Sequence, residues 1–384
     1  MLPLRNAKRF VDKALKQPGY AFKVFARRIK AYLSYSRAQG RSSCPEAITL
    51  FLTHRCNLRC RMCGQWGESG VTKQEDASYV REELSFAQLT SIIDSVTPFK
   101  PNITLFGGEP LLYPECLNLI NYIKQKGMHC LMITNGFLLE NLAAEIAASG
   151  LDELNVSLDG DKGLHDEIRG MPGLFDKIMC GLNSVHHFKT QRQKRTPLMN
   201  LQCTITKYNY RALEQLIGVA EEAHADSLTF HNLIFVSHEA LERQKEYDTL
   251  LGCSSRDWEG FIFDPEIDAQ LLYRKMRQIL SGRYSFKIDF YPNFALDELM
   301  EYYRASGSIF RDKGLRCLSP WVVAYIFPDG QVKPCLNSSY SFGNVKESGF
   351  PGIWNSKEAM VFRKLLRQAR MFPACQRCTE LYRY

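Results

Sequence analysis

Six strand-like runs alternate with helix-compatible stretches between residues 46 and 240, and this alternation constrains the fold more than any other feature. The runs are Ile48–Thr53, Ile103–Phe106, Cys130–Thr134, Leu154–Leu158, Leu201–Thr206 and Ser227–Leu233. Between them lie stretches such as Ser85–Ser95, Cys116–Lys126 and Leu139–Ala148, the last two followed by Gly127 and Gly150, which suit helix ends. A helix between two strands returns the chain to the same end of the sheet, so neighbouring strands run parallel. The expectation is an α/β fold, a partial (β/α)6 TIM-like barrel, with ligands at the C-terminal ends of its strands.

Residues 241–312 are less regular, with a helix expected at Asp268–Leu280 and aromatic-rich segments around Tyr291 and Tyr302. Beyond them, Trp321–Phe327 and Gln331–Lys333 flank a Pro328-Asp329-Gly330 turn and read as a small hairpin. The chain then divides into an arm (1–45), the partial barrel (46–240), a connecting, substrate-shaping segment (241–312) and a small C-terminal domain (313–384). No uninterrupted apolar run reaches the ~18 residues that would span a membrane, and no signal core is evident, so a cytoplasmic location is expected.

Thirteen cysteines are too many, and odd in number, for a set of structural disulfides in a chain of 384 residues. Two sets stand out by spacing: Cys56, Cys60 and Cys63, then Cys317, Cys335, Cys375 and Cys378. The other six, Cys44, Cys116, Cys130, Cys180, Cys203 and Cys253, are isolated and read as small buried apolar residues.

The first set has the spacing C-x3-C-x2-C directly after the first expected strand. Three thiolates on one loop can hold three irons of a cubane and leave the fourth iron open to a small molecule. A zinc site wants four closed ligands, and His54 is a candidate for the fourth. After the second strand comes Gly107-Gly108-Glu109-Pro110, where glycines permit close backbone approach and Glu109 offers an anionic acceptor for an ammonium.

These two segments in this order resemble the radical S-adenosylmethionine (SAM) superfamily. The resemblance implies a catalytic [4Fe-4S] cluster on Cys56, Cys60 and Cys63, with Met62 near the SAM adenine. It implies that Gly107, Gly108, Glu109 and Pro110 hold the SAM amino group. Asn155-Val156-Ser157-Leu158-Asp159-Gly160 is similar to the family's ribose-contacting segment, with Ser157 the first choice and Asp159 the second. Arg169 stands where relatives place a cation for the SAM carboxylate, with a solvated surface arginine as the alternative. Thr134-Asn135-Gly136 closes the third strand as in relatives, or is only a turn. The chemistry implied is reductive cleavage of SAM to methionine and a 5′-deoxyadenosyl radical, which takes a hydrogen atom from the substrate. A reductant such as ferredoxin or flavodoxin is implied as a partner.

Four cysteines in the second set suffice to ligate one more cluster fully, although a hairpin with C-x2-C also suits a zinc ribbon. Beside the first set, the region resembles the twitch form of the SPASM auxiliary-cluster domain. Phe342-Gly343-Asn344-Val345 through Ile353-Trp354 strengthens that match, and the cysteines are too few for two auxiliary clusters. An auxiliary [4Fe-4S] cluster on Cys317, Cys335, Cys375 and Cys378, acting in electron transfer, is expected.

Substrate identity is open among lipids or lipid-linked molecules, peptides and sugars. His231 and Asn232 are candidates to face it, and no catalytic acid, base or hydrogen donor is assigned. Competing readings are a non-catalytic iron–sulfur electron carrier and a zinc-stabilised nucleic-acid binder.

The net charge of +8 is unevenly placed: residues 1–41 hold eleven Lys or Arg against Asp12 alone, leaving −2 for the rest. The arm is expected to form two short helices separated by Pro18-Gly19, the second carrying Phe22, Phe25, Ile29 and Leu33 on one apolar face. That face suits an anionic membrane surface, a peripheral contact through residues 1–41, or else it packs on the barrel. Without an aromatic stacking platform, nucleic acid is a weaker partner.

Overall fold

The computed structural model describes residues 18–37, 39–304 and 314–383, and for residues 18–23 the backbone alone. The six expected strands are present as β1 Ala47–Phe51, β2 Asn102–Phe106, β3 Cys130–Thr134, β4 Glu153–Ser157, β5 Leu198–Ile205 and β6 Ser227–Asn232. Each pairs in parallel with the next. Helices of eight residues or more are α1 Pro18–Ser36, α2 Phe86–Val96, α3 Cys116–Gln125, α4 Leu139–Ala148, α5 Lys162–Arg169, α6 Leu174–Gln191, α7 Gln215–Glu222, α8 His238–Leu251, α9 Ala269–Ser281 and α10 Lys357–Ala369.

The sheet is larger than the six strands expected. The segment around Tyr291 is a seventh parallel strand, β7 Lys287–Tyr291, paired with β6. Its five residues include Lys287 and Asp289, so its apolar signal is weak. At the other edge, β8 Val323–Ile326 runs parallel to β1, and β9 Val332–Lys333 returns antiparallel to β8. The C-terminal hairpin therefore extends the barrel's own sheet, whose order is β7-β6-β5-β4-β3-β2-β1-β8-β9 and whose ends do not close.

Alternation along the strands explains the layers. On β5, Met199, Leu201, Cys203 and Ile205 are buried while Asn200, Gln202 and Thr204 between them are half-buried, and β2, β4 and β6 repeat the pattern. The apolar set packs under the helices, as Val156 does with Ile178 of α6 around Gly136. The intervening polar set shares the opposite face. Asn200 donates to Asn155 (2.9 Å) and accepts from Ser227 (2.8 Å) across that face.

Helix α1 begins at Pro18, a residue suited to a first helical position, so Pro18-Gly19 opens a helix. The first expected arm helix lies outside the described residues. Val24, Ala31 and Tyr35 of α1 are buried on the body. Arg28 grips the buried Glu46 through both carboxylate oxygens (2.9 and 3.2 Å), and Arg27 donates to the carbonyls of Phe99 and Lys100. Ile29 and Leu33 instead remain 42% and 52% exposed. Of the apolar face read from the sequence, Ile29 and Leu33 thus point outward, Phe25 is half-buried, and Phe22 falls among the side chains not described. The Glu46 and Lys100 anchors precede β1 and β2, so α1 sits at the N-terminal ends of the strands.

Candidate active site and auxiliary thiol cluster

The cysteine loop leaves the C-terminal end of β1 and is pinned from several sides. Leu58 is buried beneath it, and Arg61 N donates to Ile168 O (2.9 Å) at the end of α5. The Gly-Gly-Glu-Pro segment clamps it from β2: Gly108 N donates to Thr53 O and Glu109 N to Arg55 O, both at 2.8 Å. A Cβ on Gly108 would lie 2.3 Å from Arg55 O, and one on Gly107 2.7 Å from Thr53 O. The glycines therefore serve a backbone-to-backbone contact with the cysteine loop itself.

Each of the three sulfurs has an N–H donor set against it from a different place. Asn135 Nδ2 lies 3.9 Å from Cys56 Sγ, an Arg169 guanidinium nitrogen 3.7 Å from Cys60 Sγ, and Trp66 N 3.3 Å from Cys63 Sγ. Such donors favour thiolate over thiol and tune a metal bound to it. Burial, with neighbouring thiols and carboxylates adding to it, pushes the Cys56 thiol up to about 12 and raises Cys60, although Arg169 works against the rise at Cys60.

Glu109 is 1% exposed. Its carboxylate accepts from Thr134 Oγ1 (2.7 Å), Asn135 N (2.7 Å) and Leu111 N (3.1 Å), with Pro110 buried at the first position of the turn it caps. Burial still pushes Glu109 up to about 7. Thr134-Asn135-Gly136 is more than a turn: it holds both Glu109 and, through Asn135, the side of Cys56. That role was hidden because the motif's two partners lie on other strands.

Asp159 is fully buried and engaged within the chain. One oxygen accepts from Arg169 Nε (2.6 Å), the other from Thr204 N (2.9 Å). Asp159, the second choice for the ribose, is thus braced within the chain, and Arg169 is an inner residue joining Asp159 to Cys60 rather than a surface arginine. Burial opposes the charge of Arg169, but Asp159 and Cys60 outweigh it and keep the guanidinium protonated. His165 accepts from Asp159 N (3.1 Å) through Nδ1 and completes the brace. Ser157, at the end of β4, and Met62, on the cysteine loop, are half-buried on this side.

Strand register continues the polar face beyond Ser157. One row runs Ser157, Gln202, Thr229, Asp289, and the next Thr204, His231, Tyr291. The His231 ring meets Gln202 and packs edge-on to Tyr291. Tyr291 donates to Thr379 O (2.9 Å), beside Cys378. Asn232 points the other way: it is buried, donates to Pro292 O and accepts from Tyr303, so it does not line this wall.

His54 is not close to a zinc arrangement. It is buried, stacked on Tyr79 with ring centroids 4.3 Å apart, and tilted against Phe51. Burial and then the Lys333 charge lower it to about 4.

Cys317, Cys335, Cys375 and Cys378 line one cavity. Cys317 is held by its N–H to Arg370 O (2.9 Å), and Cys375 and Cys378 by a tight turn. Arg377 within that turn is buried and donates to Tyr302 O (2.7 Å), fastening the loop to the body. Burial raises all four thiols, Cys317 to about 12 and Cys335 to about 11. Among the described residues no three Cys, His, Asp or Glu groups stand where they could hold one metal ion. Zinc needs sulfurs ~2.3 Å from one centre, whereas a cubane spreads its ligands over four irons. Of the cysteines read as buried, Cys116, Cys130 and Cys203 are so, while Cys44 and Cys180 are exposed and Cys253 is half-buried in this cavity.

Comparison with known proteins follows this division. Residues 50–191 match the radical SAM superfamily, and residues 317–379 match SPASM, an iron–sulfur cluster-binding domain. The chain is 28% identical over 349 residues to Fe-coproporphyrin III synthase of Methanosarcina barkeri, covering 85% of this chain and 79% of the relative. It is 27% identical to the AdoMet-dependent heme synthase of the same organism, covering 88% and 89%. Among solved structures, Streptococcus suis SuiB bound to S-adenosylmethionine superposes with a TM-score of 0.60 at 15% identity, over 86% of this chain and 70% of SuiB, a likeness of fold.

Proposed function

We propose that this chain, a radical SAM enzyme with a C-terminal SPASM domain, holds its SAM-binding [4Fe-4S] cluster on Cys56, Cys60 and Cys63. One auxiliary [4Fe-4S] cluster is held on Cys317, Cys335, Cys375 and Cys378. Being an enzyme of this kind, it is neither a simple electron carrier nor a zinc-stabilised nucleic-acid binder. The observation that carries the assignment is the trio of N–H donors, one set against each sulfur of the first loop.

When bound, the first cluster supplies the electron that cleaves SAM, delivered by a donor such as ferredoxin or flavodoxin. The rest falls to the chain. Glu109, buried and pushed up by that burial, accepts the SAM ammonium and is restored to its charged form by it. Ser157 meets the ribose, and Met62 packs beside the adenine. Gly107 and Gly108 set Glu109 against the loop by letting backbones touch, and Pro110 fixes the turn. Arg169, tethered by Asp159 and set against Cys60, supplies the cation for the SAM carboxylate.

The substrate lies against Gln202, Thr204, Thr229, His231, Asp289 and Tyr291, a wall of amide, hydroxyl, imidazole, carboxylate and phenol groups suited to a polar molecule. The names of the two relatives make Fe-coproporphyrin III and heme precursors the first compounds to test. The decisive experiment is anaerobic reconstitution followed by SAM and dithionite. The intact protein is expected to form 5′-deoxyadenosine, and the Cys56→Ala/Cys60→Ala/Cys63→Ala variant none. Formation by that variant overturns the assignment.

A second reading concerns location. The outward Ile29 and Leu33, flanked by exposed Lys30 and Arg37, support contact of α1 with an anionic membrane surface. No helix of the described residues is long and apolar enough to cross a membrane. Because α1 sits at the strand ends opposite the cysteine loop, such contact says nothing for a lipid substrate, whose one support was the arm.

A further inference from the structure

We propose that Cys253 is a fifth thiol of the auxiliary site, able to replace Cys335 as a ligand to iron. The inference rests on the four-cysteine reading given above and adds a residue that no spacing pattern connects to it. Cys253 lines the same cavity as Cys317, Cys335, Cys375 and Cys378.

Three local features bring it there. Helix α8 ends in Gly252, whose φ of +61° turns the chain, and Cys253 N then donates to Asp248 O (3.0 Å). The next residue is tied to the loop that follows Cys335: Ser254 N donates to Ser339 Oγ (2.7 Å), and Ser339 N donates to Ser254 O (3.2 Å). The body of α8 braces the other end of the site, where Gln244 accepts from Ala374 N (3.2 Å) beside Cys375. Asp248 also lines the cavity, but its carboxylate accepts from Ser255 N and Ser255 Oγ, both at 2.8 Å, and from Gln244 at 3.0 Å. The thiol is therefore the soft donor that this loop presents.

Exchange is a simple substitution. The iron–sulfur bond to Cys335 breaks as one to Cys253 forms, the proton of Cys253 passes to the Cys335 sulfur, and no electron changes hands. A site with this reserve keeps its cluster when Cys335 is lost to substitution or oxidation.

The test is iron and sulfide content after anaerobic reconstitution with ferrous iron and sulfide, with electron paramagnetic resonance of the reduced protein. Cys335→Ala is expected to keep about eight irons per chain, with a changed auxiliary signal, and Cys253→Ala/Cys335→Ala to fall to about four. Cys375→Ala should fall to about four whether or not Cys253 is present. A Cys335→Ala protein already at four irons, or a double variant no lower than the single, overturns the proposal. The four irons of the first site report that each variant is folded, and the serine substitution at the same position replaces any alanine variant that is not. Zinc in place of auxiliary iron in the unaltered protein would overturn the four-cysteine reading, and this inference with it.

Discussion

The two cysteine sets solve the same problem in opposite ways. The first lies within eight residues of one loop, and distant residues come to it: Asn135 from β3, Arg169 from α5, the glycines from β2. The second is gathered from separate stretches of chain, and its cavity exists only once β8, the 335–339 loop and the C-terminal turn have assembled. In the first, ligands are local and their support is not. In the second, the ligands themselves are the long-range contacts. A change in supporting residues should therefore damage the first set most, whereas the second should yield mainly to loss of its own thiols.

Four expectations sharpen that contrast, ranked by their effect on 5′-deoxyadenosine formation. Asp159→Asn leaves Arg169 buried without its counter-charge, and breaking such a pair costs about 3–5 kcal/mol. Activity should fall more than a hundredfold with a clear drop in Tm, and near-normal turnover would show that the brace does not matter. Gly108→Ala forces a Cβ onto the Arg55 carbonyl, an overpacking of about 1–3 kcal/mol. Roughly tenfold loss with lowered iron in the first site is expected, read by iron analysis beside the assay.

Cys375→Ala/Cys378→Ala should lose about four irons and substrate turnover yet keep SAM cleavage within about threefold. A collapse of SAM cleavage would mean the sets are interdependent. Smallest of all, Leu33→Glu should leave activity and stability unchanged, within about 0.5 kcal/mol for an exposed position. It should abolish flotation with anionic vesicles, and equal flotation by both proteins removes α1 as a membrane contact.

What the sequence disclosed tracks how local each feature is. β3 and α4 have their expected boundaries because apolar periodicity and a following glycine specify them within a dozen residues. The cysteine loop was legible for the same reason. β7 was not, because Lys287 and Asp289 interrupt its apolar pattern and its partner is fixed by tertiary pairing. The roles of Asn135 and of Asp159 were equally hidden, since a hydrogen-bond partner on another strand leaves no trace in spacing. Cys253 looked like any isolated small residue until α8 delivered it to the auxiliary cavity. The arm was legible in part: its sequence left open which way Ile29 and Leu33 face, because the docking side is carried by Val24, Ala31 and Tyr35, which no spacing singled out.

The pairing of β8 with β1 has a consequence for how such a chain can be shortened. Ala47–Phe51 is shielded along its whole length by β2 on one flank and, from Ala47 to Leu50, by β8 on the other. A chain cut before Leu318 would leave a strand of five buried residues with a bare row of backbone donors and acceptors on one flank, a template for self-association. The C-terminal domain is thus also a seal, and its removal should yield an insoluble remnant instead of a minimal enzyme.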